Sequence, residues 1–130
     1  MKQAIIESGR AEFALNKVKE VKNCDKSVAK HYKSYVRNFS TLVLSNGLAS
    51  TVAFVFEKSK GDGKEKKAYK YIYDQVSSWL EQNNFLTGKS LEEYVCSLNS
   101  DEYRVVTNEI LSLFTWFKRF ASGLIEGEAE

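Results

Sequence analysis

Residues 100–124 have the sequence SDEYRVVTNEILSLFTWFKRFASGL, which carries the strongest helical pattern in the chain. Apolar residues recur there every three or four positions, the spacing of one face of an α-helix. Ser100 supplies a helix cap, and Asp101 and Glu102 place negative charge where the helix dipole favours it. The predicted core stripe of this helix comprises Val106, Ile110, Leu113, Phe114, Phe117, Ala121 and Leu124.

Five more helices are predicted upstream, from the same spacing and from local start and stop signals. Asp25 caps the second helix, which ends at Asn46-Gly47, and Ser90 opens a short helix through a capping box. The short apolar run of residues 48–57 has no partner strand and is interpreted as a buried helix. The predicted helices are residues 2–22, residues 26–46, residues 48–57, a long helix between the loop 58–64 and Asn83, and the short helix after Ser90.

Composition favours the same architecture. The 130 residues contain no proline, the residue that most often breaks helices, although average usage would supply about six. Hydrophobic residues make up 43% and charged residues 28%, as in folded soluble domains. We therefore expect an all-α fold, a compact single-domain bundle of about six helices over residues 1–130, with a frayed tail at 126–130.

Several classes of protein are excluded. No stretch approaches the ~20 apolar residues that span a membrane, and the N-terminus becomes polar too early for a signal peptide. Cys24 and Cys96 form no CxxC pair, so a reducing, cytoplasmic setting is expected. His31 is the only histidine, which argues against a metal site.

Charge is unevenly distributed along the chain. Residues 1–40 hold nine Lys/Arg against four Asp/Glu, whereas residues 71–130 hold four against ten. Spacings of four, three and four place Lys26, Lys30, Lys33 and Arg37 in one stripe, opposite the predicted core face of the second helix. Such a row can follow phosphates by charge alone, independently of base sequence. The alternative interpretation is an ordinary solvated helix face.

Two aromatic features accompany the lysines. Tyr69, Tyr71 and Tyr73 accompany a second basic cluster, where they are either stacking faces for unpaired bases or residues at the edge of the core. The lysines of this cluster are Lys58, Lys60, Lys64, Lys66, Lys67 and Lys70. Trp116 and Phe120 form a second apolar ridge on the last helix, which we predict to be a protein interface if no helix of the same domain covers it.

Catalysis is not expected. The pairs Glu92/Glu93 and Asp101/Glu102 stand at helix starts, where acids serve a structural purpose. The glycines of residues 60–64 lack the Walker pattern. The catalytic alternative is a small nuclease or hydrolase that uses either His31, with Cys24 or a serine as nucleophile, or the carboxylate pairs. No cofactor is implied.

The order of short segments along nearly the whole chain resembles a known family, the small helical subunit of the type III-B CRISPR RNA-guided effector, or Cmr complex, a RAMP module of antiviral defence. The matching segments are Arg10-Ala11, Lys30-His31-Tyr32-Lys33-Ser34-Tyr35-Val36, Asn46-Gly47-Leu48, Ala53-Phe54 with Lys58, Ala68-Tyr69, Trp79-Leu80, Tyr103-Arg104 with Thr107 and Glu109, and Trp116-Phe117-Lys118-Arg119-Phe120-Ala121.

The resemblance implies a helical bundle without a catalytic centre, present in several copies that stack as an inner filament. Its implied partners are the backbone and large subunits of the complex, copies of itself, the CRISPR RNA and the target RNA. The motif-borne cations are Lys33, Arg37, Lys118 and Arg119, which join Lys26 and Lys30 of the stripe as predicted RNA contacts. A purely protein-binding scaffold, in which the lysines only solubilise the chain, remains the alternative.

Overall fold

The computed structural model describes residues 2–127, with side chains from Gly9 onward, and this part of the chain forms a bundle of six α-helices. The all-α prediction is confirmed. The helices are α1 (Lys2–Lys22), α2 (Lys26–Asn46), α3 (Leu48–Lys58), α4 (Lys64–Gln82), α5 (Leu91–Cys96) and α6 (Ser100–Leu124). Within the described residues, no helix is both long enough and apolar enough to cross a membrane.

Local side chains define the helix starts. An Asp25 carboxylate oxygen accepts hydrogen bonds from the N–H groups of Ser27 and Val28, at 2.8 and 3.2 Å. Glu93 accepts from the backbone N–H and the hydroxyl of Ser90, at 3.3 and 2.7 Å, at the start of α5. These contacts confirm the predicted caps of α2 and α5.

The predicted cap of α6 was one residue late. Asn99, not Ser100, caps the helix: its side chain accepts from the N–H of Glu102 at 2.9 Å, and Glu102 accepts from the N–H of Asn99 at 3.1 Å. Glu93 and Glu102, one member of each carboxylate pair, thus complete helix starts, as the sequence interpretation proposed.

The direction of the helices follows from their side-chain contacts. Arg10 contacts Glu109 and Phe13 contacts Phe117, so α1 and α6 run in the same direction. Phe39 stacks on Phe114, with ring centroids 4.1 Å apart, while the earlier α2 residue Lys33 reaches Ile125. Helix α2 therefore runs opposite to α6, and the end of α6 lies beside the first half of α2.

The predicted core is largely confirmed. Six of the seven predicted core residues of α6 are buried, and Leu124 is half-buried. In α4 the same spacing predicts five core residues, all of which are buried: Ala68, Ile72, Val76, Trp79 and Leu80. In α2, helical spacing predicts seven core residues, of which Tyr35 and Leu42 are half-buried and the other five are buried: Val28, Tyr32, Val36, Phe39 and Val43.

In α1, the predicted core residues Ala14, Val18 and Val21 are buried, and Ala11 and Leu15 are half-buried. The side chain of Ile5, also predicted to lie in the core, is outside the described residues. Phe13 is a core residue that the sequence analysis missed. Residues 128–130 of the tail also lie outside the described part.

The prediction that α3 is a buried helix was wrong for one side of it. Leu48, Thr51, Val52 and Val55 face the core, but Ala53 is exposed and Phe54 retains 37% of its accessible surface. Helix α3 lies on the surface of the bundle, so only one of its faces is desolvated. An apolar run alone does not distinguish a buried helix from one that covers a surface.

A half-buried charge network joins three helices. Arg10 of α1 donates two hydrogen bonds to the Glu109 carboxylate, at 2.9 and 2.8 Å, and the Trp79 indole N–H donates a third at 2.8 Å. The Arg10 hydrogen bonds, with a further contribution from Trp79, hold the pKa of Glu109 below its ordinary value although burial opposes this. The network fixes α1, α4 and α6 relative to one another.

Candidate nucleic-acid interface

The predicted cationic stripe lies on the side of α2 that faces away from the core. Lys26 and Arg37 are exposed, and Lys30 and Lys33 are half-buried. No acidic residue occurs in the sequence from Lys26 to Phe56, so the positive charge of this stripe is not offset within α2 or the first nine residues of α3. Phosphates approaching this side of α2 meet an attractive potential.

Lys33 differs from its neighbours because it is engaged within the protein. Its Nζ donates to the carbonyl oxygens of Ile125 and Gly127, each at 2.9 Å. These carbonyls follow the last turn of α6, where a helix leaves acceptors without partners. An ammonium has three N–H donors, so one donor of Lys33 remains for another acceptor.

Helix α6 brings further cations to the same side of the molecule. The contacts Lys33–Ile125 and Phe39–Phe114 bracket Arg37 on α2 and Lys118 on α6, so these two residues lie along the same seam between antiparallel helices. Lys118 is half-buried there. We call Lys26, Lys30, Lys33, Arg37 and Lys118 the basic face.

Arg119 is exposed and lies about 100° further around α6 than Lys118, beyond the seam. The structure therefore brings five of the six predicted RNA contacts together and leaves Arg119 at the margin. No acidic residue occurs in the sequence between Glu109 and Glu126, so this part of α6 is also free of opposing charge.

A pocket lies at the end of the basic face where α1 ends and α2 begins. It has a volume of about 430 Å³ and is lined by Lys22, Lys26 and Lys30, with Leu124 and Ile125 among its apolar lining residues. Glu126 is the one acidic lining residue. Lys22 is not among the predicted sites, although the sequence indicates that it prolongs the stripe if the first two helices meet.

The tyrosines of the second basic cluster are engaged within the protein. The Tyr69 ring stacks on Tyr35 with centroids 3.9 Å apart and meets the edge of Phe54 at 5.8 Å. Tyr71 meets Tyr32 edge to face, and the Tyr73 hydroxyl donates to Glu92. Burial is the main cause that raises the pKa of both Tyr35 and Tyr73 to about 12. They are residues at the edge of the core rather than open stacking faces.

The proposed catalytic side chains are each held in other contacts. His31 stacks on Tyr35 with centroids 5.9 Å apart, and the Cys24 thiol donates to the carbonyl of Val21 at 2.8 Å. Among the residues that the structure describes, no three His, Cys, Asp or Glu side chains lie close enough to hold a metal ion.

Trp116 and Phe120 occupy the opposite flank of α6 from Lys118. Their rings stack with centroids 6.0 Å apart, and both residues are half-buried against the core. Val105 is 57% exposed and lies three turns earlier on the same flank, a residue that helical spacing alone would have found. Helix α6 thus separates an apolar ridge from the basic face.

Comparison with known proteins identifies the family of this chain. A family model described as CRISPR-associated protein (Cas_Cmr5) matches residues 6–124. The chain belongs to the Cmr5 family. A curated relative, the CRISPR system Cmr subunit Cmr5 of Thermus thermophilus, is 30% identical over 95 residues, which are 73% of this chain and 75% of the relative.

The Cmr5 fold is also shared with a solved structure. The X-ray crystal structure of a CRISPR-associated Cmr5 family protein from Thermus thermophilus superimposes with a TM-score of 0.74 at 27% sequence identity. The superposition covers 93% of this chain and 97% of that one. The predicted membership of the type III-B Cmr small-subunit family is thereby confirmed.

Proposed function

We propose that this Cmr5 family chain is the small, non-catalytic subunit of a Cmr effector complex, in which its basic face contacts the phosphates of CRISPR RNA and target RNA. Copies of the chain stack as an inner filament beside the backbone subunits, with the large subunit as a further partner, in the cytoplasm. The observation that carries the RNA contact is the basic face itself, on parts of α2 and α6 that contain no acidic residue.

The geometry of the basic face suits contact without base recognition. Lys26 and Arg37 lie about 16 Å apart along α2, given the rise of a helix, so they follow a backbone rather than surround one base. The tyrosines nearby already contact protein rings, since Tyr69 stacks on Tyr35 and Tyr71 meets Tyr32 edge to face. Base pairing between the two RNAs would supply the sequence specificity, and the protein would supply charge.

A single copy is expected to bind RNA weakly. The net charge of the chain is only +2, and Lys33 is already hydrogen-bonded to backbone carbonyls. Several copies in a row multiply these weak contacts, because each later contact becomes intramolecular. We therefore expect stronger binding in the assembled complex than for the isolated chain.

The test is the salt dependence of RNA binding. Lys26, Lys30 and Arg37 are replaced together by Gln, which removes three charges while keeping long side chains, and Lys33 is left in place because it holds the end of α6. A matched control replaces Lys66, Lys67 and Lys70, which lie on α4, by Gln. Both variants lose the same net charge, so only the position of the charges differs.

We expect the α2 variant to bind a labelled single-stranded RNA more weakly and to lower the slope of log K against log salt by about two, because each lost phosphate contact removes about 0.7. The α4 variant should keep a slope near that of the wild type. Equal losses in both variants would show that net charge, not the basic face, governs binding.

One observation favours a second candidate function, a scaffold without direct RNA contact. Trp116 and Phe120 are stacked, half-buried and separate from the basic face, as expected of a site that docks a protein neighbour. If the α2 variant binds RNA like the wild type both alone and in a reconstituted complex, this scaffold function replaces the RNA contact.

A further inference from the structure

The end of α6 lies against the basic face. Lys33, near the centre of that face, donates to the carbonyl oxygens of Ile125 and Gly127 rather than pointing freely into solvent. These oxygens lie just beyond the C-terminus of α6, where the helix dipole favours a cation. The Lys33 ammonium, which lies among the other cations of the basic face, thus already uses two of its three N–H donors on the chain's own backbone.

Gly127 allows the chain to pass close to a second lysine. Its φ is +95°, a left-handed conformation that other residues rarely adopt, and a Cβ at this position would lie 2.8 Å from Cε of Lys30. Gly123, one turn earlier in α6, has nothing within 4 Å of such a Cβ. The close approach is therefore specific to the segment that meets Lys30 and Lys33.

The same segment carries negative charge. Glu126 lines the pocket that also contains Lys22, Lys26 and Lys30. Carbonyl and carboxylate oxygens are the acceptors with which a protein can imitate the oxygens of a phosphate.

We propose that the segment that follows α6, residues 125–127, is an intramolecular competitor of RNA for the basic face. It occupies Lys33 with backbone oxygens and offsets the charge of Lys26 and Lys30 with the Glu126 carboxylate, so RNA gains the whole face only by displacing it. This inference rests on the proposed function, because it requires that the basic face bind RNA. Attachment to the same chain gives the competitor a high effective concentration.

Two variants release the segment by different means. In the first, Glu126→Gln removes the carboxylate charge and leaves the backbone contacts to Lys33. In the second, Gly127→Ala disfavours the left-handed backbone conformation with which this residue passes Lys30, without a change of charge, and Gly123→Ala is its matched control. We expect the charge variant to raise the affinity for a labelled single-stranded RNA about threefold to tenfold at low salt. Gly127→Ala should also raise it, and Gly123→Ala should leave it unchanged.

A measurement without RNA tests the occupied lysine directly. Each lysine is acylated with a limiting amine reagent, and the modified sites are quantified by mass spectrometry. We expect Lys33 to react more slowly than Lys26 in the wild type and to become faster in Gly127→Ala. A Lys33 that reacts as fast as Lys26 in the wild type would overturn the inference.

The outcomes separate this inference from the proposed function. If the α2 charge variant weakens RNA binding while both tail variants bind like the wild type, the basic face binds RNA and the competitor does not exist. If the α2 charge variant binds like the wild type, the proposed RNA contact fails and the inference fails with it.

Discussion

Glu109 has hydrogen-bond partners that the sequence alone does not predict. It lies half-buried on α6, where it accepts hydrogen bonds from Arg10 and Trp79. The sequence shows an acid near an apolar stripe but not its partner, because Arg10 is 99 positions away and meets Glu109 only through the packing of α1 on α6. Local patterns predict which face of a helix is buried, and they do not predict pairs across the bundle.

Replacing Glu109 by Gln should lower the free energy of unfolding by about 2 kcal/mol at neutral pH, because the half-buried Arg10 guanidinium loses the carboxylate that it binds. Urea denaturation measures this change. Glu20→Gln is the control: Glu20 is exposed and its ion pair with Lys17 is 3.5 Å long, so the expected change is below about 0.5 kcal/mol.

The comparison of wild type with Glu109→Gln also predicts how the difference in unfolding free energy depends on pH. The pKa of Glu109 in the folded protein lies below the ordinary value of 4.5, so its stabilising effect is complete above that pH and is lost as the pH falls through the lower, folded-state value. The stability difference between wild type and Glu109→Gln should therefore narrow in acid. A difference that stays constant down to the acid limit of folding would contradict this assignment.

At the scale of the helices, the sequence predicted nearly everything. All six elements occur where spacing and caps placed them, and the largest error in a predicted cap is the single-residue shift from Ser100 to Asn99. Helix boundaries depend on side chains within a few residues, so they can be inferred locally. The exposure of Phe54 could not be inferred from local sequence, because it depends on where α3 lies in the bundle.

The cap at Asp25 gives a test at this scale. Asp25→Ala should destabilise the protein by about 1 kcal/mol, since the N–H groups of Ser27 and Val28 lose their acceptor. Asp25→Asn should retain most of the stability because asparagine caps equally well, even though it removes the charge that pairs with Lys64 at 3.4 Å. Asp62→Ala in the exposed loop is the control, and thermal unfolding is the measurement. Equal losses for Ala and Asn would assign the effect to the ion pair instead.

At the scale of the whole molecule, the sequence predicted the cations and the apolar ridge but not their arrangement. Helical spacing places Lys26, Lys30, Lys33 and Arg37 in one stripe, and Lys118 joins them because α2 and α6 pack antiparallel. The hydrogen bonds of Lys33 to the segment after α6 were missed for the same reason. Its acceptors belong to a helix end about 90 residues later, whose position follows only from tertiary packing.

The apolar ridge gives a prediction for assembly. Replacing Trp116 and Phe120 by Ala should leave a folded chain, destabilised by about 2 kcal/mol because both side chains are half-buried, that no longer co-purifies with the other Cmr subunits. Leu44→Ala, at a position that is 74% exposed beside the basic face, is the control and should assemble normally. A folded double variant that assembles like the wild type would exclude the ridge as an interface.

The pairing of the first helix with the last has a consequence for biosynthesis. Helix α1 packs most extensively against α6, which a ribosome completes about 5–20 s after α1 at ordinary elongation rates. Throughout that interval the nascent chain exposes the apolar surface of α1 that α6 will cover. Chaperone capture should therefore peak late in translation, and the bundle can close only once the final helix has left the exit tunnel.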